Sequence, residues 1–158
     1  MVNIEDLKRF YILSQQPHAF STAAINKQPN GAKVMEFSDG DWKMVDTFYG
    51  GEPYGGCLVI EYHGRVVWTQ VYYGQVHDTK LSVHEVYDFL RLALREPNPD
   101  RPFRGPVSFI RGHLEYCDVS SGDFATYSGK EVILEHGKEI YWGAYFGGLV
   151  DQRASSAD

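Results

Sequence analysis

A row of polar side chains recurs at matching positions of four sequence segments and has the chemistry to bind a small molecule. Each segment runs from one glycine to another ten residues later, and the first glycines are Gly40, Gly64, Gly112 and Gly137. Six positions after each first glycine stand Asp46, Gln70, Asp118 and Gly143. The carboxylates can accept hydrogen bonds or pair with a cation, and the glutamine can both donate and accept.

Aromatic residues flank this row. Because successive strand residues point to opposite sides of a sheet, the fourth, sixth and eighth positions after each glycine share one face. An aromatic wall with a few convergent polar groups is typical of a small-molecule site. We therefore predict a ligand-binding cleft formed by Asp46, Gln70, Asp118, Trp68, Tyr72, Tyr116, Tyr141 and Tyr145.

Two other interpretations of this face stay open. Aromatic residues on a sheet often form a core or an interface, so the domain could instead be an interaction module that contacts a second copy or a regulatory partner. The third interpretation is a small enzyme that uses Asp46, Asp118 or the pair His113 and Glu115 as acid and base. It is the least favoured, because the sequence has no nucleophile, zinc or phosphate-loop motif. No metal and no cofactor are expected.

The elements that position these residues are predicted to be β-hairpins. Residues 54–76 align without a gap to residues 127–149, and each copy has a His-Gly turn between two β-branched and aromatic runs. The segments around Gly40 and Gly112 share the same spacing. We therefore predict eight mainly antiparallel strands in four hairpins, at residues 33–49, 57–73, 107–119 and 130–146.

Two helices complete the predicted fold. Residues 4–16 have a helical apolar pattern, and a second helix begins at Ser82, where Glu85 completes a capping box, and ends at Pro97. A long loop is predicted at residues 17–32. The order helix, hairpin, hairpin thus occurs twice, which predicts an α+β domain at residues 1–150 with pseudo-repeats 1–77 and 78–150. Residues 151–158 are predicted to be a disordered tail.

The alternation of side chains along each strand, counted as odd and even positions after the first glycine, also predicts how the fold packs. The odd positions of the frame are mostly small or β-branched, which suits a face packed beneath a helix. We expect the aromatic faces of the two repeats to look toward each other across the cleft. The odd positions are occupied by Val45, Thr69, Cys117, Trp142, Thr47, Val71, Val119 and Ala144.

Bulk properties exclude several classes of protein. The chain has 158 residues and 43% hydrophobic content, which are values typical of a globular protein. Its net charge of -6 argues against binding nucleic acid. No signal-peptide core and no run of eighteen apolar residues occurs, so no membrane segment is expected. Cys57 and Cys117 are too few for a metal quartet and are expected to be reduced core thiols. These features together predict a cytoplasmic protein.

Three segments resemble a bacterial family of uncharacterised domains: DTFYGGEPYGG, FLRLALREPNPDRPFRGP and GDFATYSGKEVILEHGKEIYWGAYFGGLV. Members of that family occur alone or behind an Xre-type helix-turn-helix. The resemblance extends from about Asp46 to Val150, and this chain has no helix-turn-helix pattern, so DNA binding does not carry over. Association with a DNA-binding module implies that the domain senses something.

Overall fold

The computed structural model of this protein describes residues 2–16, 19, 25–96, 98 and 100–151. Within them, helices pack on one face of a single antiparallel sheet. Helix α1 spans Ile4–Ser14 and helix α2 spans Val83–Ala93. The strands are β1 (Ile25–Lys27), β2 (Lys33–Asp39), β3 (Trp42–Gly50), β4 (Tyr54–Tyr62), β5 (Arg65–Val76), β6 (Ser108–Arg111), β7 (Leu114–Asp123), β8 (Thr126–Glu135) and β9 (Lys138–Leu149).

Both helices begin at side-chain caps. The Asn3 side chain accepts hydrogen bonds from the backbone N–H groups of Glu5 and Asp6. The predicted capping box of α2 is confirmed, because Ser82 and Glu85 bond reciprocally to each other's backbone N–H. Helix α1 ends two residues earlier than predicted, and the predicted end of α2 at Pro97 falls outside the described residues.

The order of the strands across the sheet is β1-β2-β3-β4-β5-β9-β8-β7-β6. Strands β5 and β9 pair in the middle, and the strands on either side follow in mirrored order. Among the described residues the sheet has nine strands rather than eight, because β1 pairs with β2 inside the region predicted to be loop. Its three exposed residues carry no apolar alternation that sequence reasoning could detect.

The two strongest turns in the sequence have the geometry that their residues favour. His63 and Gly64 have φ angles of 50° and 76°, and His136 and Gly137 have 49° and 80°. Positive φ at both central residues is the type I′ arrangement, whose twist matches that of the strands it joins. These turns set the registers of β4 with β5 and of β8 with β9.

The helices cover the aromatic face of the sheet. Met44, Trp68, Tyr116 and Tyr141 are fully buried beneath them. The expectation that the small-residue face packs under a helix is therefore wrong, and Val119 on that face is 76% exposed. Aromatic side chains bury about 150–250 Å² each, so covering the aromatic face removes more apolar area from water.

The two halves of the chain lie side by side. We expected their aromatic faces to look toward each other, but β5 and β9 instead pair edge to edge from Trp68↔Leu149 to Val76↔Tyr141. This pairing bonds the backbone of both strands, which a face-to-face arrangement would leave as open sheet edges. The two halves therefore form one continuous sheet.

The segment between α2 and β6 crosses the aromatic face and is held there by Phe103. The Phe103 ring stacks on Tyr127, with centroids 4.4 Å apart. The backbone carbonyl of Phe103 accepts hydrogen bonds from the Tyr11 hydroxyl at 3.0 Å and from Gln70 Nε2 at 2.8 Å. These contacts fix the position of the next residue, Arg104.

Of the predicted tail, only Asp151 is described, and its carboxylate pairs with Arg65 at 2.5 Å; residues 152–158 lie outside the described part of the chain. Neither α1 nor α2, nor any other helix among the described residues, has the length and apolar content needed to span a membrane.

Candidate functional site

A cleft of about 510 Å³ opens on the helix-covered side, between α2 and the strands β2 to β5. The sheet supplies two charged residues and several aromatic residues to its wall. Helix α2 supplies apolar residues and one arginine, and Arg104 reaches the cleft from the crossing segment. The principal lining residues are Lys33, Met35, Asp46, Phe48, Tyr54, Tyr72, Tyr87, Leu90, Arg91, Leu94 and Arg104.

Asp46 and Tyr72 form one polar unit of this cleft. The Tyr72 hydroxyl donates to Asp46 Oδ1 at 2.7 Å. Burial raises the pKa of Asp46 to about 6, against the smaller lowering effects of the Tyr72 hydrogen bond and of Arg104. The Tyr72 ring reaches across Gly56 of β4, where an added Cβ would lie 2.4 Å from the hydroxyl. Gly56 is therefore what allows Tyr72 to reach the carboxyl group.

Arg104 forms a second polar unit. Its Nε donates to Glu131 Oε1 at 3.2 Å and Oε2 at 3.3 Å, and Nη2 donates to the Tyr54 hydroxyl at 3.2 Å. The guanidinium carbon lies 5.1 Å from the centroid of the Tyr72 ring. Burial by itself lowers the pKa of Arg104, but the Glu131 carboxylate and the neighbouring tyrosines together outweigh it and hold the pKa above the ordinary range. The arginine is therefore a fixed positive charge.

Glu131 is held in turn by two tyrosines. Its side chain is 2% exposed, and it accepts hydrogen bonds from the hydroxyls of Tyr116 and Tyr141, each at 2.8 Å. The Tyr141 hydroxyl also lies 2.6 Å from that of Tyr54, which closes a ring of contacts back to Arg104. A buried carboxylate with this many hydrogen-bond partners is held in one orientation. Glu131 thereby preorganises Arg104, which faces the cleft.

The second half of the chain repeats the Asp46 and Tyr72 unit. The Tyr145 hydroxyl donates to Asp118 at 2.7 Å and crosses Gly129, where a Cβ would lie 2.3 Å away. Burial raises the pKa of Asp118 to about 6, partly offset by the Tyr145 hydrogen bond. Asp118 faces a separate cavity of about 240 Å³ beside Arg101. The predicted row of carboxylates is thus divided between two cavities.

The remaining residues of the predicted site are buried supports. Trp68 stacks on Phe124 with centroids 5.0 Å apart, and its indole N–H donates to the Phe124 carbonyl. Gln70 is 1% exposed and holds the Phe103 carbonyl. Of the eight predicted residues, Asp46 and Tyr72 line the large cleft, Asp118 and Tyr145 form the second unit, and Trp68, Gln70, Tyr116 and Tyr141 lie beneath them.

Sequence reasoning missed Arg104, Glu131 and Tyr54. Arg104 lies in a segment without strand or helix periodicity, so the sequence pattern does not predict which way its side chain points. Glu131 left a signal, because it stands where the aligned first repeat has Leu58. Gly143, where the first repeat has Gln70, makes the room for it, since a Cβ there would lie 2.7 Å from Glu131 Oε1.

The alternative acid and base pair, His113 and Glu115, lies apart from the cleft. His113 Nε2 is 3.6 Å from Glu135, and the His113 ring stacks on His136 at 5.1 Å. Glu115 contacts the Cys117 thiol at 3.5 Å. Among the described residues, no three His, Cys, Asp or Glu side chains gather as a metal site.

Another depression, of about 560 Å³, lies where β5, β8 and β9 end. It is more open than the cleft, and none of its lining residues is charged. Small and apolar residues such as Thr69, Ser128 and Leu149 form its walls. The cleft at Asp46, with its fixed arginine and carboxyl group, is therefore the better equipped for chemistry.

These features define an α+β domain built on one antiparallel sheet, with a polar floor in an aromatic cleft. The chain belongs to the family described as Domain of unknown function (DUF5680), whose model matches residues 46–150. The matched range includes Asp46, Tyr72, Arg104 and Glu131. Neither curated proteins nor solved structures contain a significant match to the chain.

Proposed function

We propose that this domain binds a small molecule in the cleft at Asp46, Tyr72 and Arg104. The observation that carries the proposal is a partly buried arginine and a partly buried carboxyl group at the floor of one open, aromatic-walled cleft. The cleft volume of about 510 Å³ lies within the usual range for small-molecule sites. A ligand would contact rings at its sides and fixed polar groups at its base.

The energetics of the buried charges support a binding role. Taking a guanidinium and carboxylates out of water is costly, and well-packed apolar residues of similar volume are often at least as stable. The Arg104 and Glu131 pair is nevertheless surrounded by three tyrosines that hold it in place. Perturbed ionisable groups in a cleft are typical of functional sites.

The same proposal includes a sensor role, internal duplication and a cytoplasmic location. Duplication is supported by the mirrored strand order and by the matching sets Asp46, Tyr72, Gly56 and Asp118, Tyr145, Gly129. The free thiols of Cys57 and Cys117 fit a reducing compartment. The sensor role is supported by the resemblance to domains behind helix-turn-helix modules.

A thermal-shift screen of the purified full chain tests the binding proposal. Compounds that bind in the cleft should raise the Tm of the wild type, and Y72F, which loses one hydroxyl, should reduce that shift. D118N is the matched control, because it changes the equivalent unit in the other cavity. The proposal fails if no compound raises the Tm, or if D118N affects every shift as strongly as Y72F.

A second candidate function, self-association, is favoured by the uncovered face of the sheet. Val71 and Phe146 are paired across β5 and β9 and are 38% and 60% exposed, with Tyr73 beside them. With strands about 4.8 Å apart, a nine-stranded face exceeds the roughly 800 Å² per partner of a stable interface. Two sheets commonly pack face to face. The partner proposed for this face is therefore the same face of a second copy of the chain.

Light scattering across a concentration series tests self-association. A wild-type dimer that becomes a monomer in F146K would support it. V107K is the matched control, because Val107 is 66% exposed and lies outside the strands. A monomeric wild type at all concentrations, or a dimer insensitive to F146K, would rule out this interface.

A further inference from the structure

Two polar atoms at the floor of the cleft have no partner within the described part of the chain. Asp46 accepts the Tyr72 hydrogen bond through Oδ1, which leaves Oδ2 as an open acceptor. Arg104 donates through Nε and Nη2, which leaves Nη1 as an open donor. Both residues line the cleft, so these two atoms are the ones that a ligand could contact.

Asp46 and Arg104 both contact the same tyrosine. Asp46 contacts the Tyr72 hydroxyl at 2.7 Å, and the Arg104 guanidinium lies over the Tyr72 ring, 5.1 Å from its centroid. One end of a ligand can therefore meet both residues at once. It would have to offer a donor to Asp46 and an acceptor to Arg104.

The charges around the cleft favour a neutral ligand. Arg104 is paired with Glu131, and Arg91 is paired with Asp88 at 2.5 Å. Lys33, whose ammonium lies over the Phe48 ring, and Asp46 contribute one charge of each sign to the cleft lining. An anionic ligand would bring a like charge to Asp46, and a cationic ligand would bring one to Arg104.

The walls of the cleft favour a flat ligand body. Tyr54 and Tyr87 meet edge to face, with centroids 5.4 Å apart and planes at 82°, and Tyr54 lies 6.1 Å from Tyr72. Leu90 and Leu94 of α2 complete the apolar side. Rings and aliphatic side chains around a polar floor suit a planar apolar molecule with one polar end.

We infer that the ligand is a neutral, planar molecule whose edge carries a hydrogen-bond donor next to an acceptor, as an aromatic amide or a nucleobase does. This inference rests on the proposed binding function of the same cleft. Asp46 accepts from the donor of the ligand, Arg104 donates to its acceptor, and Tyr72 holds both residues in place. Such a site rejects analogues that lack either group, because a buried polar atom is then left unpaired.

Three probes with the same ring and different head groups test the ligand class. Benzamide is neutral with a donor and an acceptor, benzoate is an anion with acceptors only, and benzamidinium is a cation with donors only. Titration calorimetry at pH 7.5 on the full chain should give benzamide at least about tenfold tighter binding than either charged probe. In D46N the benzoate affinity should gain about tenfold relative to benzamide, since the like charge is removed.

The outcomes separate this inference from the proposed function. Tighter binding of benzoate or benzamidinium, weakened by Y72F, overturns the ligand class and leaves the binding function standing. No binding by any of the three probes at millimolar concentration also overturns the ligand class, and the screen then decides the binding function alone. D118N should leave all three affinities unchanged, because Asp118 faces the other cavity.

Discussion

Asp46 and Arg104 are both partly buried charged residues of the cleft, and their charges are compensated in different ways. Asp46 has a neutral hydroxyl as its hydrogen-bond donor, so burial dominates and raises its pKa to about 6. Arg104 has the carboxylate of Glu131 as its partner and remains charged. The cleft therefore contains one group that titrates near neutral pH and one that does not.

Replacing Asp46 with Asn should flatten the dependence of stability on pH. The folded pKa of about 6 exceeds the ordinary value of 3.8, so between these values the folded state holds a proton that the unfolded state has lost. The contribution of Asp46 to the free energy of unfolding is therefore largest at low pH and falls, by on the order of 2–3 kcal/mol, as the pH rises through 6. Asn keeps an acceptor for Tyr72 and does not titrate.

Urea unfolding between pH 4 and pH 7 measures this effect. The difference in free energy of unfolding between D46N and wild type should shift in favour of D46N as the pH rises. D39N, at the exposed end of β2, should follow the wild-type profile. Parallel profiles for D46N and wild type would contradict the predicted titration.

Removing either partner of the Arg104 and Glu131 pair should be strongly destabilising. R104M or E131Q alone leaves an uncompensated buried charge, which costs about 3–5 kcal/mol. The double variant should lose less than the sum of the two, because neither charge remains. Chemical denaturation of the four proteins gives the coupling energy, and additive losses would show that the two residues act independently.

At the scale of elements, glycines in β4 and β8 shape the sheet for the tyrosines of their neighbours. Gly56 is paired with Tyr72, and Gly129 is paired with Tyr145. In both pairs, the ring of the tyrosine lies where a side chain of the opposite residue would be. The missing side chains therefore direct each hydroxyl to a carboxylate on the far side of the glycine strand.

The variants G56A and G129A should separate stability from binding. Each added methyl group would overlap a tyrosine and should lower the free energy of unfolding by about 1–3 kcal/mol. Only G56A displaces Tyr72, so only it should also weaken benzamide binding, as measured by calorimetry. G51A is a control for stability, because a Cβ at Gly51 would meet no atom within 4 Å. Equal binding by G56A and G129A would contradict the role of Tyr72.

At the scale of the whole molecule, the β5 and β9 pair joins the two halves into one sheet. Each of these strands spans twelve residues and has a hydrogen-bonded neighbour on both sides. The outermost strands β1 and β6 have three and four residues and one neighbour each. Stability should therefore be greatest at the centre of the sheet and least at its edges.

Hydrogen exchange should reveal this gradient. Amides of β5 and β9 that bond to each other should exchange slowest and together, because opening them requires loss of the central pairing. Amides of β1 and β6 should exchange fastest. Exchange followed by NMR distinguishes this from two independent halves, in which β5 and β9 would lose protection under different denaturant concentrations.

Much of this arrangement follows from local patterns in the sequence. The glycine spacing places Asp46, Tyr72, Asp118 and Tyr145 on one face of the strands, and the structure brings each aspartate to its tyrosine. The capping box fixes the start of α2. Turn chemistry and caps depend on residues a few positions apart, so the sequence alone indicates them.

Other features depend on contacts between distant residues, which no local pattern contains. The helices cover the aromatic face because that face has the larger apolar area. Strands β5 and β9 join edge to edge because this arrangement pairs their backbone hydrogen-bonding groups. Arg104 reaches the cleft because Phe103 anchors an irregular segment across the sheet. The sequence by itself therefore determined the strand faces and their paired carboxyl and tyrosine groups, whereas only tertiary packing decided that a partly buried arginine completes the site.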